Sequence, residues 1–190
     1  RVIDVAPDGN LSIVAAPEPL PHFEAALPRG LRKAPEGAIF EWRADSLALE
    51  LGRRLRDEGA ALIIDYGHAQ FGLGDTLQAV AGHSFTDPFR APGNADLTAH
   101  VDFEAFAQCA ESMGARIHGP IRQRDLFMRL GIVQRATALK ANASPSKAAE
   151  IDVALARLIA EGARGMGELF KAIAIAAPGL GALPGFEETS

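Results

Sequence analysis

The sequence predicts an α/β fold, and three observations carry that expectation. A helical pattern over about residues 46–58 stops at Gly59 and passes at once into the apolar run Ala60-Ala61-Leu62-Ile63-Ile64. That run ends in Asp65 and Tyr66, polar residues at a strand's carboxyl end, where open α/β sheets bind their ligands. Helical segments and a second apolar strand then follow, the succession of a sheet covered by helices.

Residues 2–5 and 11–14 are short apolar strands around Pro7-Asp8-Gly9-Asn10, turn chemistry that predicts a β-hairpin. Residues 16–37 are rich in Pro and Gly and are expected to cross the surface. Asp45 is a candidate N-cap for the helix from Ser46, whose Leu47, Leu51 and Leu55 recur at i, i+4, i+8. The uninterrupted run at 60–64 suits a strand covered on both faces, as in parallel sheets.

The stretch 67–95 is expected to be a long loop, and loops of that length in compact domains are usually functional or mobile. Asp102 should cap a helix that buries Phe103, Phe106, Ala110 and Met113 and ends at Gly114. A shorter helix near 122–130 stops at Gly131. Ser144-Pro145 opens another, with Ile151, Leu155, Leu158 and Ile159 as its apolar stripe. Leu169–Ala176 reads as the last strand, and Pro178-Gly179 turns the chain out of it.

Composition narrows the function. A chain of 190 residues is a prior for one domain with a sizeable core. The net charge is 19 − 24 = −5 with no basic run, which disfavours nucleic acid as a partner. No run approaches the roughly 18 apolar residues of a membrane helix, so no membrane insertion is expected. Arg1 is neither an initiator Met nor part of a signal peptide, which suggests a fragment or a processed chain; with no targeting segment visible, the expected compartment is the cytoplasm. Cys109, the single cysteine, lies in an apolar stretch and is expected to be a buried thiol.

The chemistry-bearing motifs compete with plainer readings. Gly67 to Gly74 has the opening spacing of a phosphate loop, but Leu73 stands where a lysine would reach the phosphates. Gly162-Ala163-Arg164-Gly165-Met166-Gly167 has its spacings in the wrong order for a dinucleotide fingerprint, so these glycines read as turns. His68, His83 and His100, with Asp65, Asp87, Asp96 and Asp102 nearby, raise a metal hydrolase. No HxH, HxxxH or HExxH pairs two imidazoles, and no metal ligands are assigned. If Asp96–Asp102 were extended, Asp96, Thr98, His100 and Asp102 would share one face; otherwise Asp102 is a helix cap. Asp65 and Tyr66 at the strand end could orient a substrate amine or carry a proton, or Asp65 could shape the Gly67 turn. No serine carries nucleophile-elbow glycines.

Whole phrases carry more than spacing. Ala61-Leu62-Ile63-Ile64-Asp65-Tyr66-Gly67-His68, then Gly74-Asp75-Thr76-Leu77-Gln78-Ala79 and His83, resemble the MidA/NDUFAF7-type (DUF185) methyltransferases. So do Pro92-Gly93-Asn94-Ala95-Asp96-Leu97-Thr98-Ala99-His100-Val101-Asp102-Phe103, Gln123, Leu130-Gly131-Ile132, Arg135, Met166–Lys171 and Gly185-Phe186, in the same order. The resemblance implies the later part of a Rossmann-like class I methyltransferase sheet with flanking helices and a β-hairpin. It implies one domain portion over 1–190: hairpin at 1–15, helix and buried strand at 38–66, acceptor-side loop insertion at 67–102, helices and terminal strand at 103–190.

It also implies S-adenosylmethionine as cofactor, held mainly by a Glu-x-Gly-Pro-Gly-x-Gly loop that would precede Arg1, so that no cofactor-binding residue is assigned here and this chain alone is expected to be inactive. The implied reaction is protein arginine N-methylation, with a respiratory complex I subunit as candidate acceptor, a role in assembling that complex, and a homodimer as candidate assembly. Asp65, Tyr66, His100 and Asp102 are then the catalytic candidates, and His68, His83, Asp96 and Gln123 the substrate-binding ones. Two rivals stand beside this reading: a non-catalytic assembly or protein-binding module, and the metal-dependent hydrolase.

Overall fold

The computed structural model describes residues 1–18, 27–42, 46–162 and 165–187. Two compact units emerge: one from residues 1–42 and 72–100, the other from 43–71 and 101–190.

In the first unit, β1 (Val2–Val5) and β2 (Leu11–Val14) form the expected antiparallel hairpin, with Val2 opposite Val14 and Val5 opposite Leu11. A short 3-10 helix spans Arg29–Lys33. The stretch expected to be a long loop instead holds a three-stranded antiparallel sheet of β4 (Gln78–Ala81), β5 (Ser84–Thr86) and β6 (Asp96–Thr98), in the order β5-β4-β6. Gly82 and His83 make its hairpin turn, both at positive φ, 56° and 62°. A two-residue turn of that hand matches the strand twist, but histidine in its second place hides the signal.

The second unit is built on a four-stranded sheet in the order β7-β3-β9-β8. Strand β3 (Ala60–His68) pairs along its length with antiparallel β9 (Phe170–Ala176), and Gly67 and His68 pair with parallel β7 (Val101–Asp102). The apolar run at 60–64 therefore belongs to a mixed sheet, and Leu62 is 54% exposed rather than covered on both faces. Strand β9 is the buried one: Ala172–Ala176 are all within 2% of full burial. Strand β8 (Arg116–Arg122) has no counterpart in the sequence reading. Its Gly119-Pro120 break and the irregular register between His118 and Ile121 interrupt the period-two pattern that marks a strand.

Among the described residues six helices accompany this sheet, two of them, Ile132–Lys140 and Pro145–Leu158, packing on other helices rather than on the strands. They are α1 (Ser46–Leu55), α2 (Phe103–Ser112), α3 (Gln123–Arg129), α4 (Ile132–Lys140), α5 (Pro145–Leu158) and the single turn α6 (Met166–Leu169). The expected Asp45 cap lies outside the described residues. Asp102 caps α2 as expected, accepting from the Ala105 N–H at 3.0 Å. Ser144 caps α5, accepting from Lys147 N–H at 3.3 Å with Pro145 at its first turn. Helix α4 has little local signal because Ile132, Val133 and Thr137 are weak helix formers and Gly131 gives it no side-chain cap. Helices α1 and α2 pack so closely that a Cβ on Gly52 would lie 2.4 Å from the Ala110 carbonyl oxygen. Their contact feeds a core of Ala110, Ala115 and Ile175, with Leu51, Leu55, Ile63, Phe106 and Ile117 around it.

Candidate functional site

The site begins with Gly67. A Cβ there would lie 2.1 Å from the Val101 carbonyl oxygen, so glycine is what lets β7 approach the end of β3. That approach sets His68 beside Asp102 in the parallel register, with His68 Nε2 3.7 Å from Asp102 Oδ2. Asp102 is 7% exposed, and its two oxygens divide their work between the α2 cap and the imidazole. The sequence patterns for a strand end and a helix cap thus meet in one carboxylate.

Side chains alternate along a strand, so Tyr66 and His68 share one face of β3 while Asp65 takes the other. The structure brings His68 and Asp102 together, with Tyr66 on the same face of β3 as His68 and Asp65 on the other. Tyr66 packs edge-on against Phe170, with ring centroids 5.5 Å apart. On the opposite face Asp65 stands across from Lys171, which in turn stands across from Arg122. The Asp65 carboxylate also accepts the Tyr66 N–H at 2.8 Å.

Lys171, outside the set of sequence candidates, holds this end of the sheet. Its ammonium donates to the Gly67 carbonyl at 3.1 Å, to Glu168 at 2.5 Å and to Leu169 at 3.3 Å. Burial pushes its pKa down, opposed by the neighbouring Glu168 carboxylate and assisted by Arg122. The available signal is a lone lysine inside Phe170-Lys171-Ala172-Ile173, because a cation there must find carbonyl partners. Arg122 bridges Asp125 at 2.7 Å and Glu168 at 2.9 Å. Glu104, at the start of α2, accepts the Phe71 N–H at 2.7 Å and so fixes the chain just beyond β3.

The remaining candidates lie elsewhere. Gln123 is 3% exposed, follows the far strand β8, and its amide donates to the Leu158 carbonyl at 2.8 Å. Asp96, His83 and His100 belong to the first unit. Asp96 sits on β6 opposite Val80, His83 is the turn residue, and the His100 N–H donates to Thr76 Oγ1 at 3.0 Å. Thr76 in turn donates its N–H, at 2.9 Å, and its hydroxyl to the Glu41 carboxylate. Strand β6 ends at Thr98 and β7 begins at Val101, so Asp96–Asp102 is not one extended wall. Among the described residues no group of three or more His, Cys, Asp or Glu is placed to hold a metal ion. No helix there is long and apolar enough to cross a membrane. Cys109 is half-buried.

Comparison with known proteins gives this geometry a family. Residues 1–121 match the family model described as "Putative S-adenosyl-L-methionine-dependent methyltransferase". The mitochondrial protein arginine methyltransferase NDUFAF7 of Mus musculus is 37% identical over 140 residues, 72% of this chain and 31% of that protein. The homologue from Drosophila melanogaster is 38% identical over 130 residues, 67% of this chain and 29% of its own length. A solved protein from Burkholderia thailandensis superposes with a TM-score of 0.76 at 28% identity, covering 97% of this chain and 50% of that one. A second, solved with S-adenosyl-homocysteine bound, has a TM-score of 0.72 at 27% identity and covers 97% and 48%. The chain thus spans about half the length of these solved relatives and about a third of the curated ones. Its sheet is the corresponding part of a Rossmann-like methyltransferase fold, and the chain belongs to the S-adenosyl-L-methionine-dependent methyltransferase family whose model it matches.

Proposed function

We propose that the protein is an S-adenosylmethionine-dependent protein arginine N-methyltransferase, and that this portion forms its acceptor side. The observation that carries the reading is the His68–Asp102 pair where β3 meets its parallel neighbour, on the face of β3 that Tyr66 shares. Relatives bearing the name protein arginine methyltransferase, and a relative solved with the demethylated cofactor, support it.

No cofactor-binding residue is assigned to this portion. The strand-to-helix junctions Asp102-Phe103 and Arg122-Gln123 contain no glycine, and at the start of α2 the Ala105 N–H is taken by the Asp102 carboxylate. What the chain's own residues can do is hold an acceptor. A guanidinium stays protonated in water and must be oriented and relieved of a proton before nitrogen can accept a methyl group. Asp102 and His68 offer a carboxylate and an imidazole at the strand end, and the Tyr66 and Phe170 rings give an apolar wall that strips water. Asp65 on the opposite face, and Asp96, His83 and His100 of the first unit, are further candidate contacts for the acceptor protein. A respiratory complex I subunit is the candidate acceptor.

The test is mass spectrometry of an arginine-containing acceptor after incubation of the intact enzyme with S-adenosylmethionine. His68→Ala and Tyr66→Ala, which remove the imidazole and the ring wall, should each lower methyl incorporation by at least about tenfold, the scale of general acid–base and orienting groups. Unchanged incorporation in both would remove this site from the reaction.

A further inference from the structure

Gly67 leaves the residue after it with a problem of aim. A Cβ at Gly67 would lie 2.1 Å from the Val101 carbonyl oxygen and 3.0 Å from the Phe103 ring, so the approach of β7 demands a residue without a side chain. The same absence leaves the Gly67 dihedrals with no side chain to hold them, immediately before His68. The Gly67 carbonyl and the His68 N–H belong to one planar peptide. Whatever holds that carbonyl sets the plane from which His68 departs, and with it the 3.7 Å approach of His68 Nε2 to Asp102 Oδ2.

The Lys171 ammonium holds it. An ammonium has three N–H donors, and here each meets a carbonyl: Gly67 at 3.1 Å, Glu168 at 2.5 Å and Leu169 at 3.3 Å. Glu168 and Leu169 close α6, where carbonyls lack helical partners. The ammonium thus ties the corner between α6 and β9 to the end of β3. The Glu168 carboxylate is taken by Arg122 at 2.9 Å, which leaves Lys171 to the carbonyls. Lysines at a surface usually keep the charged head in water. This one turns inward although burial lowers its pKa.

Lys171 does not share a face with the acceptor candidates. It pairs with Asp65, while Phe170 pairs with Tyr66, so alternation puts Lys171 on the face opposite Tyr66 and His68. Its reach to His68 runs through the backbone. We propose that Lys171 is a positioning residue for methyl transfer: through the Gly67 carbonyl it fixes the Gly67–His68 peptide and so aims the imidazole at Asp102. The inference rests on the acceptor-side reading of the His68–Asp102 pair.

The test compares His68→Ala, Lys171→Met and the double variant in the intact enzyme, with S-adenosylmethionine and an arginine-containing acceptor. Lys171→Met should lower kcat at least about tenfold, because a misplacement of about 1 Å can cost about a hundredfold. The KM for S-adenosylmethionine should not change. In the His68→Ala background the same substitution should cost less than about twofold, since nothing is left to aim. A second readout needs no turnover: the imidazole nitrogen NMR signals of His68, assigned by their loss in His68→Ala, should shift in Lys171→Met. Those of His118 on β8 should stay in place. If the methionine variant does not fold, Lys171→Gln carries the same test, being one atom shorter with two N–H donors in place of three. Unmoved His68 signals, an equal shift at His118, or losses that multiply in the double variant would overturn the role of Lys171 alone. Transfer indifferent to His68→Ala would overturn both this inference and the reading beneath it.

Discussion

Replacing Asp102 separates two tasks that one carboxylate performs. Its Oδ1 accepts the Ala105 N–H at 3.0 Å and caps α2, while Oδ2 faces His68 Nε2 at 3.7 Å. Alanine removes both. Loss of a side-chain cap costs about 1 kcal/mol, within a range of roughly 0.5–2. The His68 contact adds little to stability because the imidazole is a third exposed. For a chain of this length 1 kcal/mol moves the melting temperature by roughly 2–4 °C, so Asp102→Ala should melt about 1–8 °C lower. Asparagine keeps a cap acceptor but carries no charge to present to His68. Asp102→Asn should therefore melt closer to the wild type than Asp102→Ala does, since caps of Asn and Asp rank nearly equal, and still lose methyl transfer. Circular dichroism melting of both variants beside the transfer assay decides the matter. Equal destabilisation by the two substitutions, or full activity in the asparagine variant, would refute the division of labour.

Other perturbations follow from the same geometry. Gly67→Ala should destabilise by at least about 1–3 kcal/mol, the usual range for overpacking, because the new methyl would meet the Val101 carbonyl and force β7 away; urea unfolding measures it. His118 Nε2 is buried with no hydrogen-bond partner among the described residues, and burial, with help from Arg116, lowers its pKa below 6.5. The native state thus resists protonation that the unfolded chain accepts, so stability is intact above pH 6.5 and falls as the pH drops towards the native pKa. The stability of His118→Leu relative to wild type should rise below pH 6.5, and a pH-independent difference would contradict this. Lys171→Met leaves the carbonyls of Gly67, Glu168 and Leu169 without their shared donor and should lower the melting temperature more than Asp102→Ala does, each bond to a charged group being worth about 1.5–3 kcal/mol.

The sequence is most legible where local chemistry and tertiary structure agree. Pro7-Asp8-Gly9-Asn10 turns the hairpin, Asp102 and Ser144 cap their helices, and the apolar runs at 60–64 and 170–176 are strands. It is least legible where long-range pairing overrides local pattern. Strand β8 is held by β9 despite Gly119 and Pro120, and the short strands of the first unit exist through one another. At the site, Tyr66, His68 and Asp102 can be named from position alone, but strand alternation places Asp65 on the other face. The anchoring role of Lys171 depends on the carbonyl of Gly67, 104 residues away, and no spacing reveals that. Gln123 matches the family pattern, yet its amide is spent on the Leu158 carbonyl.

The central claim is that this portion serves the acceptor while the cofactor is held elsewhere in the protein. Calorimetric titration of S-adenosylmethionine tests it most directly, run on the 190-residue chain, on the intact enzyme, and on the intact enzyme carrying His68→Ala. The account predicts no measurable binding to the chain alone, and equal affinity in the intact enzyme with and without the substitution. Tight binding by the isolated chain, or loss of cofactor affinity on replacing His68, would contradict it.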